Sequence, residues 1–157
     1  MKGNEMFTDT AHILRVMEQL SEGWLAGDGK QFAAPFSPHA HFVAFDGSVL
    51  TGPVEIASFH QRAFDSHLRG TELDVAVQEI RPVDPNAWLV FARGGIQRKD
   101  GSVGELTGES VQMFLCKREA GVTLIEAFQN TRIRPVTDKQ SAEIWHAFDK
   151  LWETRNN

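Results

Sequence analysis

Between Glu72 and Arg134 the sequence is strand-like almost throughout, and the breaks between segments are about three to seven residues long. Parallel neighbours need crossovers of about a dozen residues or more, so strands joined by such short breaks pair antiparallel. Leu73, Val75 and Val77 alternate with Glu72, Asp74 and Gln78, the pattern of a strand buried on one face. The alternation fails at Glu79-Ile80, where a bulge fits. Asp84-Pro85-Asn86 turns the chain into Ala87 to Ala92, a continuous apolar run that suits a strand covered on both faces. A loop over 98–104 carries Asp100-Gly101. Two long strands follow over 105–117 and 122–134, joined at Arg118-Glu119-Ala120-Gly121.

Four long antiparallel strands need apolar cover, and amphipathic helices in the first half supply it. After the N-cap candidates Thr8, Asp9 and Thr10, Ile13, Met17, Leu20 and Trp24 recur at helical spacing, predicting a helix over about 9–26. Gly27 suits a left-handed stop, and Asp28 suits the cap of a short helix from about Lys30, anchored by Phe32 and Phe36 and ended by Ser37-Pro38. A strand over 40–45 turns at Asp46-Gly47 into a short strand over 49–51. Pro53 opens a third helix carrying Ile56, Phe59, His60, Ala63, Phe64 and His67 to about Leu68, with Gly70 after it. A last helix, about 138–155, carries Ile144, Trp145, Phe148, Leu151 and Trp152. The fold class is α+β, read as a single domain over 1–157 with a C-terminal helical extension.

Composition narrows function by exclusion. With 41% apolar residues in 157, the chain has enough for a sizeable core. A net charge of −5 with scattered Lys and Arg argues against nucleic acid as a partner. The single cysteine, Cys116, sits in an apolar run and reads as a core residue in a reducing compartment. No apolar run approaches the ~20 residues of a membrane span, and Met1 to Thr10 lacks a signal peptide's apolar stretch. The expectation is a cytoplasmic protein without a membrane partner.

Phe128-Gln129-Asn130-Thr131-Arg132 places three uncharged hydrogen-bonding side chains in what reads as a central strand. Left unpartnered and buried, each costs about 1–3 kcal/mol, so they require a polar network, a ligand or a partner subunit. Gln129 and Thr131 share one face and Asn130 and Arg132 the other, with Glu109, Ser110 and Gln112 as possible neighbours. Alternation alone leaves open which face is inner. The pentapeptide resembles the last-strand signature of the SgcJ/EcaC group of SnoaL-like proteins, in the nuclear transport factor 2-like superfamily. Three further patterns resemble that superfamily: Trp24 followed by Gly27-Asp28, Phe36-Ser37-Pro38-His39-Ala40, and Gly52-Pro53-Val54-Glu55-Ile56. The resemblance runs from about Ile13 to Arg134.

It implies the cone-shaped, cystatin-like fold: a curved, mainly antiparallel sheet wrapped with helices around a cavity, often paired as a homodimer through the outer sheet face. Fold alone names no activity. Ketosteroid-isomerase-like members use a helix tyrosine and a strand carboxylate. The resemblance puts Leu20 and Ala44 at or beside those positions, and the chain has no tyrosine. An Asp–Arg–Asp relay of the epoxide-hydrolase kind has no clear counterpart. His60, on the apolar face of its helix, is the candidate catalytic residue, a general base near neutral pH; a core histidine is the competing reading. His39 and His41 have i, i+2 spacing that can bind metal, but no supporting motif accompanies them, so no metal or other cofactor is expected. The candidate ligand-binding residues are Trp24, His41, Phe45, Phe64, Gln112, Gln129 and Asn130. The leading function is binding of a small, largely apolar organic ligand in the cone. If the protein is catalytic, the reaction is cofactor-independent proton transfer of the isomerase or cyclase kind on a polyketide-like or carbonyl compound. The alternative is a non-catalytic binding or dimerisation module.

Overall fold

The computed structural model describes residues 3–102, 108–134 and 136–156, with side chains from residue 10 to residue 155. The elements run α1 (Gly3–Ala26), α2 (Gly29–Ala33), β1 (Phe36–Val43), β2 (Val49–Thr51), α3 (Gly52–Phe64), β3 (Thr71–Asp84), β4 (Ala87–Arg98), β5 (Gly108–Glu119), β6 (Val122–Arg132) and α4 (Asp138–Asn156). The six strands form one sheet in the order β2-β1-β6-β5-β4-β3. All neighbours pair antiparallel except β1 and β6, which pair parallel. This is the curved α+β sheet expected of a cystatin-like fold.

Local chemistry sets the helix ends. Gly27 takes φ +64°, and α1 closes with hydrogen bonds from Gly27 N to Trp24 O at 2.9 Å and from Asp28 N to Gly23 O at 3.1 Å. The Asp28 carboxylate accepts from Lys30 N and Gln31 N, capping α2. Pro53 occupies the first turn of α3, and Glu55 accepts from Thr51 N at 2.7 Å. Several predicted boundaries move. Helix α1 starts at Gly3, α3 ends at Phe64, and Phe36 belongs to β1 because α2 stops at Ala33. The N-cap side chains of Thr8 and Asp9, the start of the strand at Glu105 and the break at Pro135 lie outside the described residues.

Register shifts interrupt the sheet on β1, twice on β3, and on β6. On β3 the first extra residue is Gln78, one position before the expected Glu79-Ile80, so Val77 and Ile80 both pack inward. On β6 it is Glu126: Leu115 pairs with Ala127, whereas Cys116 pairs with Ile125. Gly94 bends β4 at φ +149°, where an added Cβ would meet Asp74 O at 2.0 Å.

The core lies between the concave face and α1, α2 and α3, built on Ile13, Phe32, Phe36, Ile56, Val90 and Ile125. The convex face is not covered as the Ala87 to Ala92 run predicted. Trp88, Val90 and Ala92 are buried, but Phe91 is 37% exposed, beside Met113 at 44% and Leu115 at 36%. On α4 the apolar stripe is open to solvent, with Ile144, Trp145, Phe148 and Leu151 all more than half exposed. Among the described residues no helix is long and apolar enough to cross a membrane.

Candidate functional site

Strand register stacks the concave face in rows. Phe36, Ile125, Cys116 and Trp88 form the first row, all buried. Phe42, Phe128, Phe114 and Val90 form the second. Asn130, Gln112 and Ala92 form the third, and Arg132, Ser110 and Gly94 the fourth. The sheet floor thus runs from purely apolar to polar along one direction. Above it the helices leave a cavity of about 350 Å³. Its wall includes Leu20, Trp24, Phe32, Phe59 and His60 from the helices and Phe42, Phe114, Phe128, Gln112 and Asn130 from the sheet. Phe45, Asp46 and His67, all exposed, stand at its mouth.

His60 is buried, 3% exposed, inside a shell of rings: Phe32 at 4.3 Å between centroids, Phe42 at 5.1 Å and Phe59 at 5.3 Å. Its Nδ1 lies 2.8 Å from Ile56 O. A carbonyl oxygen only accepts, so Nδ1 carries the proton and Nε2 is the nitrogen left for a ligand. Burial among apolar rings pushes the imidazolium down to about 4, against a small upward pull from the Ile56 carbonyl. The ring is therefore neutral near pH 7, and Nε2 is a hydrogen-bond acceptor. This departs from the expected base titrating near neutrality: a conjugate acid near 4 gives little driving force for proton abstraction.

Gln112 is 5% exposed and lies in the polar row. Its Nε2 donates to Gly94 O at 3.3 Å and to Asn130 Oδ1 at 3.4 Å, while its Oε1 is buried without a partner. At the mouth the Arg132 guanidinium stacks over Phe45, 4.8 Å from the ring centroid. The Asp46 carboxyl is held below its ordinary range by hydrogen bonds from Ser48, the backbone N–H at 2.9 Å first. It is charged, and it closes the Asp46-Gly47 turn.

The structure brings Trp24, Phe45, His60, Gln112 and Asn130 to the cavity and keeps His41, Phe64 and Gln129 out of it. His41 pairs with Ala127 and Gln129 with Met113, and both side chains are exposed on the convex face. Phe64 is buried behind Trp24, 5.2 Å away between ring centroids. Trp24 lines the wall with its ring alone, because its indole N–H donates to Thr71 Oγ1 at 3.0 Å. His39 and His41 are exposed while His60 is buried, so the three do not converge. Among the described residues no group of His, Cys, Asp and Glu is placed to hold a metal. Cys116 is fully buried, and desolvation pushes its thiol up to about 12, so it stays protonated.

Leu20 and Ala44 do line the cavity, where the isomerase comparison placed a tyrosine and a carboxylate. Sequence reasoning missed Phe59, Phe114, Phe128 and His67 as lining residues. The aromatic strand positions were readable as inward only with the register in hand.

No protein-family model matches the chain, and no curated protein matches it significantly. Solved structures do. A domain of unknown function with a cystatin-like fold from Nostoc punctiforme is 26% identical at a TM-score of 0.74, over 93% of this chain and 98% of that one. Aln2 from a Streptomyces species is 18% identical at a TM-score of 0.67, over 78% and 89%. An NTF2-like protein with a cystatin-like fold from Novosphingobium aromaticivorans is 12% identical at a TM-score of 0.68, over 88% and 90%. The chain has the cystatin-like, NTF2-like fold.

Proposed function

We propose that this chain is a SnoaL-like protein of the SgcJ/EcaC group, a single cytoplasmic domain that binds a compact, largely apolar organic ligand in its cone. The observation that carries the reading is the polarity gradient along the concave sheet. A ligand enters with its apolar body against Phe42, Phe114 and Phe128 and leaves its polar end among Gln112, Asn130 and Arg132. A cavity of about 350 Å³ is at the lower end of the ~300–1,000 Å³ usual for small-molecule sites, which favours one compact ligand. Binding is favoured over proton transfer. Among the described lining residues Asp46 is the only carboxylate, and it is spent on its own turn. His60 is a weak base. Pairing through the convex face, where Phe91, Met113 and Leu115 are open, makes the protein a homodimer in this reading.

The test compares wild type with Ala44→Trp, which puts an indole into the cavity from a half-buried lining position. Native protein is extracted for co-purified metabolites by mass spectrometry, and a panel of aromatic compounds is screened by thermal shift. Wild type should retain or be stabilised by apolar compounds that the folded variant ignores. Equal responses from the two proteins, or none from either, would refute a cavity ligand.

A further inference from the structure

Two buried side chains on opposite walls of the cavity, His60 on α3 and Gln112 on β5, share one chemical feature. Each has committed its donors and kept an acceptor. The His60 Nδ1–H is used on Ile56 O, which leaves a lone pair on Nε2. The Gln112 amino group is used on Gly94 O and Asn130 Oδ1, which leaves Oε1 with no partner. The Gly94 carbonyl fixes which end of the carboxamide is which, because an oxygen turned towards it would face another acceptor. Resting on the reading of the cone as a ligand site, we infer that the cavity selects ligands by the hydrogen-bond donors they carry, and that its ligand class is a hydroxylated aromatic.

The aromatic part follows from the walls, where Trp24, Phe32, Phe42, Phe114 and Phe128 offer ring faces and edges. The hydroxyl follows from the acceptors. An unserved buried acceptor is costly, and an O–H or N–H carried by the ligand relieves it. Gln112 is poised to respond. Its donor contacts at 3.3 and 3.4 Å are long for amide hydrogen bonds, so they hold the carboxamide weakly. Its last torsion is also soft, so Oε1 turns towards a ligand hydroxyl at little cost. Ser110, buried in the next row, adds a hydroxyl that either donates or accepts. The arrangement inverts an oxyanion hole, which aims donors at a carbonyl oxygen. A ketone or ether of the same shape finds no donor on His60 Nε2, and it must compete with Gly94 O and Asn130 Oδ1 for the amino group of Gln112.

The experiment titrates wild-type protein with 2-naphthol, 2-methoxynaphthalene and naphthalene by calorimetry or fluorescence. The methyl ether keeps the shape and the acceptor and removes only the donor. We expect 2-naphthol to bind at least about tenfold more tightly than either analogue. Gln112→Leu should shrink that ratio severalfold. Because wild type alone carries the main comparison, a variant that fails to fold does not weaken it. Equal affinities for all three compounds would overturn donor selection yet leave an apolar ligand site standing. No binding of any of them at millimolar concentration would remove both.

Discussion

His60 keeps its neutral state through its surroundings rather than through a partner charge. The ring sits among Phe32, Phe42 and Phe59, and the carbonyl of Ile56 is the one polar group bonded to it among the described residues. An unfolded chain protonates this histidine at its ordinary 6.5, whereas the folded protein resists down to about 4. Between those values the unfolded state binds more protons, so stability rises with pH. The contribution is complete above 6.5 and is lost as pH falls towards 4, and it is worth roughly 3 kcal/mol in total. Urea denaturation of wild type and His60→Phe at pH 7 and pH 4.5 isolates it from the carboxylates that titrate nearby. Wild type should lose about 2 kcal/mol more than the variant. Parallel losses would show that the imidazole is hydrated and charges freely.

At the scale of elements, the strand ladder decides which polar residues matter. Asn130 and Arg132 face the cavity, and Gln129 and Thr131 face out. The sequence of β6 could not supply that phase, because it is polar on both faces and carries no marker of its inner side. The Glu126 bulge obscures it further: Ile125 and Phe128 both face inward although they are three residues apart. His41 was misjudged for the same reason, since its parallel pairing with Ala127 is a long-range fact. Local signals fared better. The Gly27 stop, the Asp28 cap and the Pro53 start each depend on a few neighbouring residues, and each stands in the structure as read. Ala87 to Ala92 misled because a continuous apolar run shows that both faces avoid water without saying what covers them. In this chain the outer half is bare, which supplies a test of the proposed pairing. Met113→Glu, on the convex face, should shift the protein from dimer to monomer in sedimentation while changing thermal stability little. A dimer that survives the substitution would place the interface elsewhere.

For the whole molecule, the order of helices and strands made the architecture legible, because short connections leave the second-half strands little choice but to pair antiparallel. The cavity was less legible. Its existence depends on curvature, and bulges such as those at Gln78 and Glu126, which favour bending, are single residues that pattern reading ranks low. Once the sheet curls, the apolar first row closes one end and the Arg132 row opens the other, so the molecule acquires a direction along which a ligand can be sorted. The similar solved structures share the fold at 12–26% identity, which leaves the ligand to be read from this chain's own side chains.

A crystal structure of the protein with 2-naphthol tests that account most directly. The fused rings should lie against Phe42, Phe114 and Phe128, with the hydroxyl oxygen about 2.8 Å from Gln112 Oε1 or His60 Nε2. Density for the compound on the convex sheet face, or a cone closed by its own side chains with the naphthol absent, would contradict it.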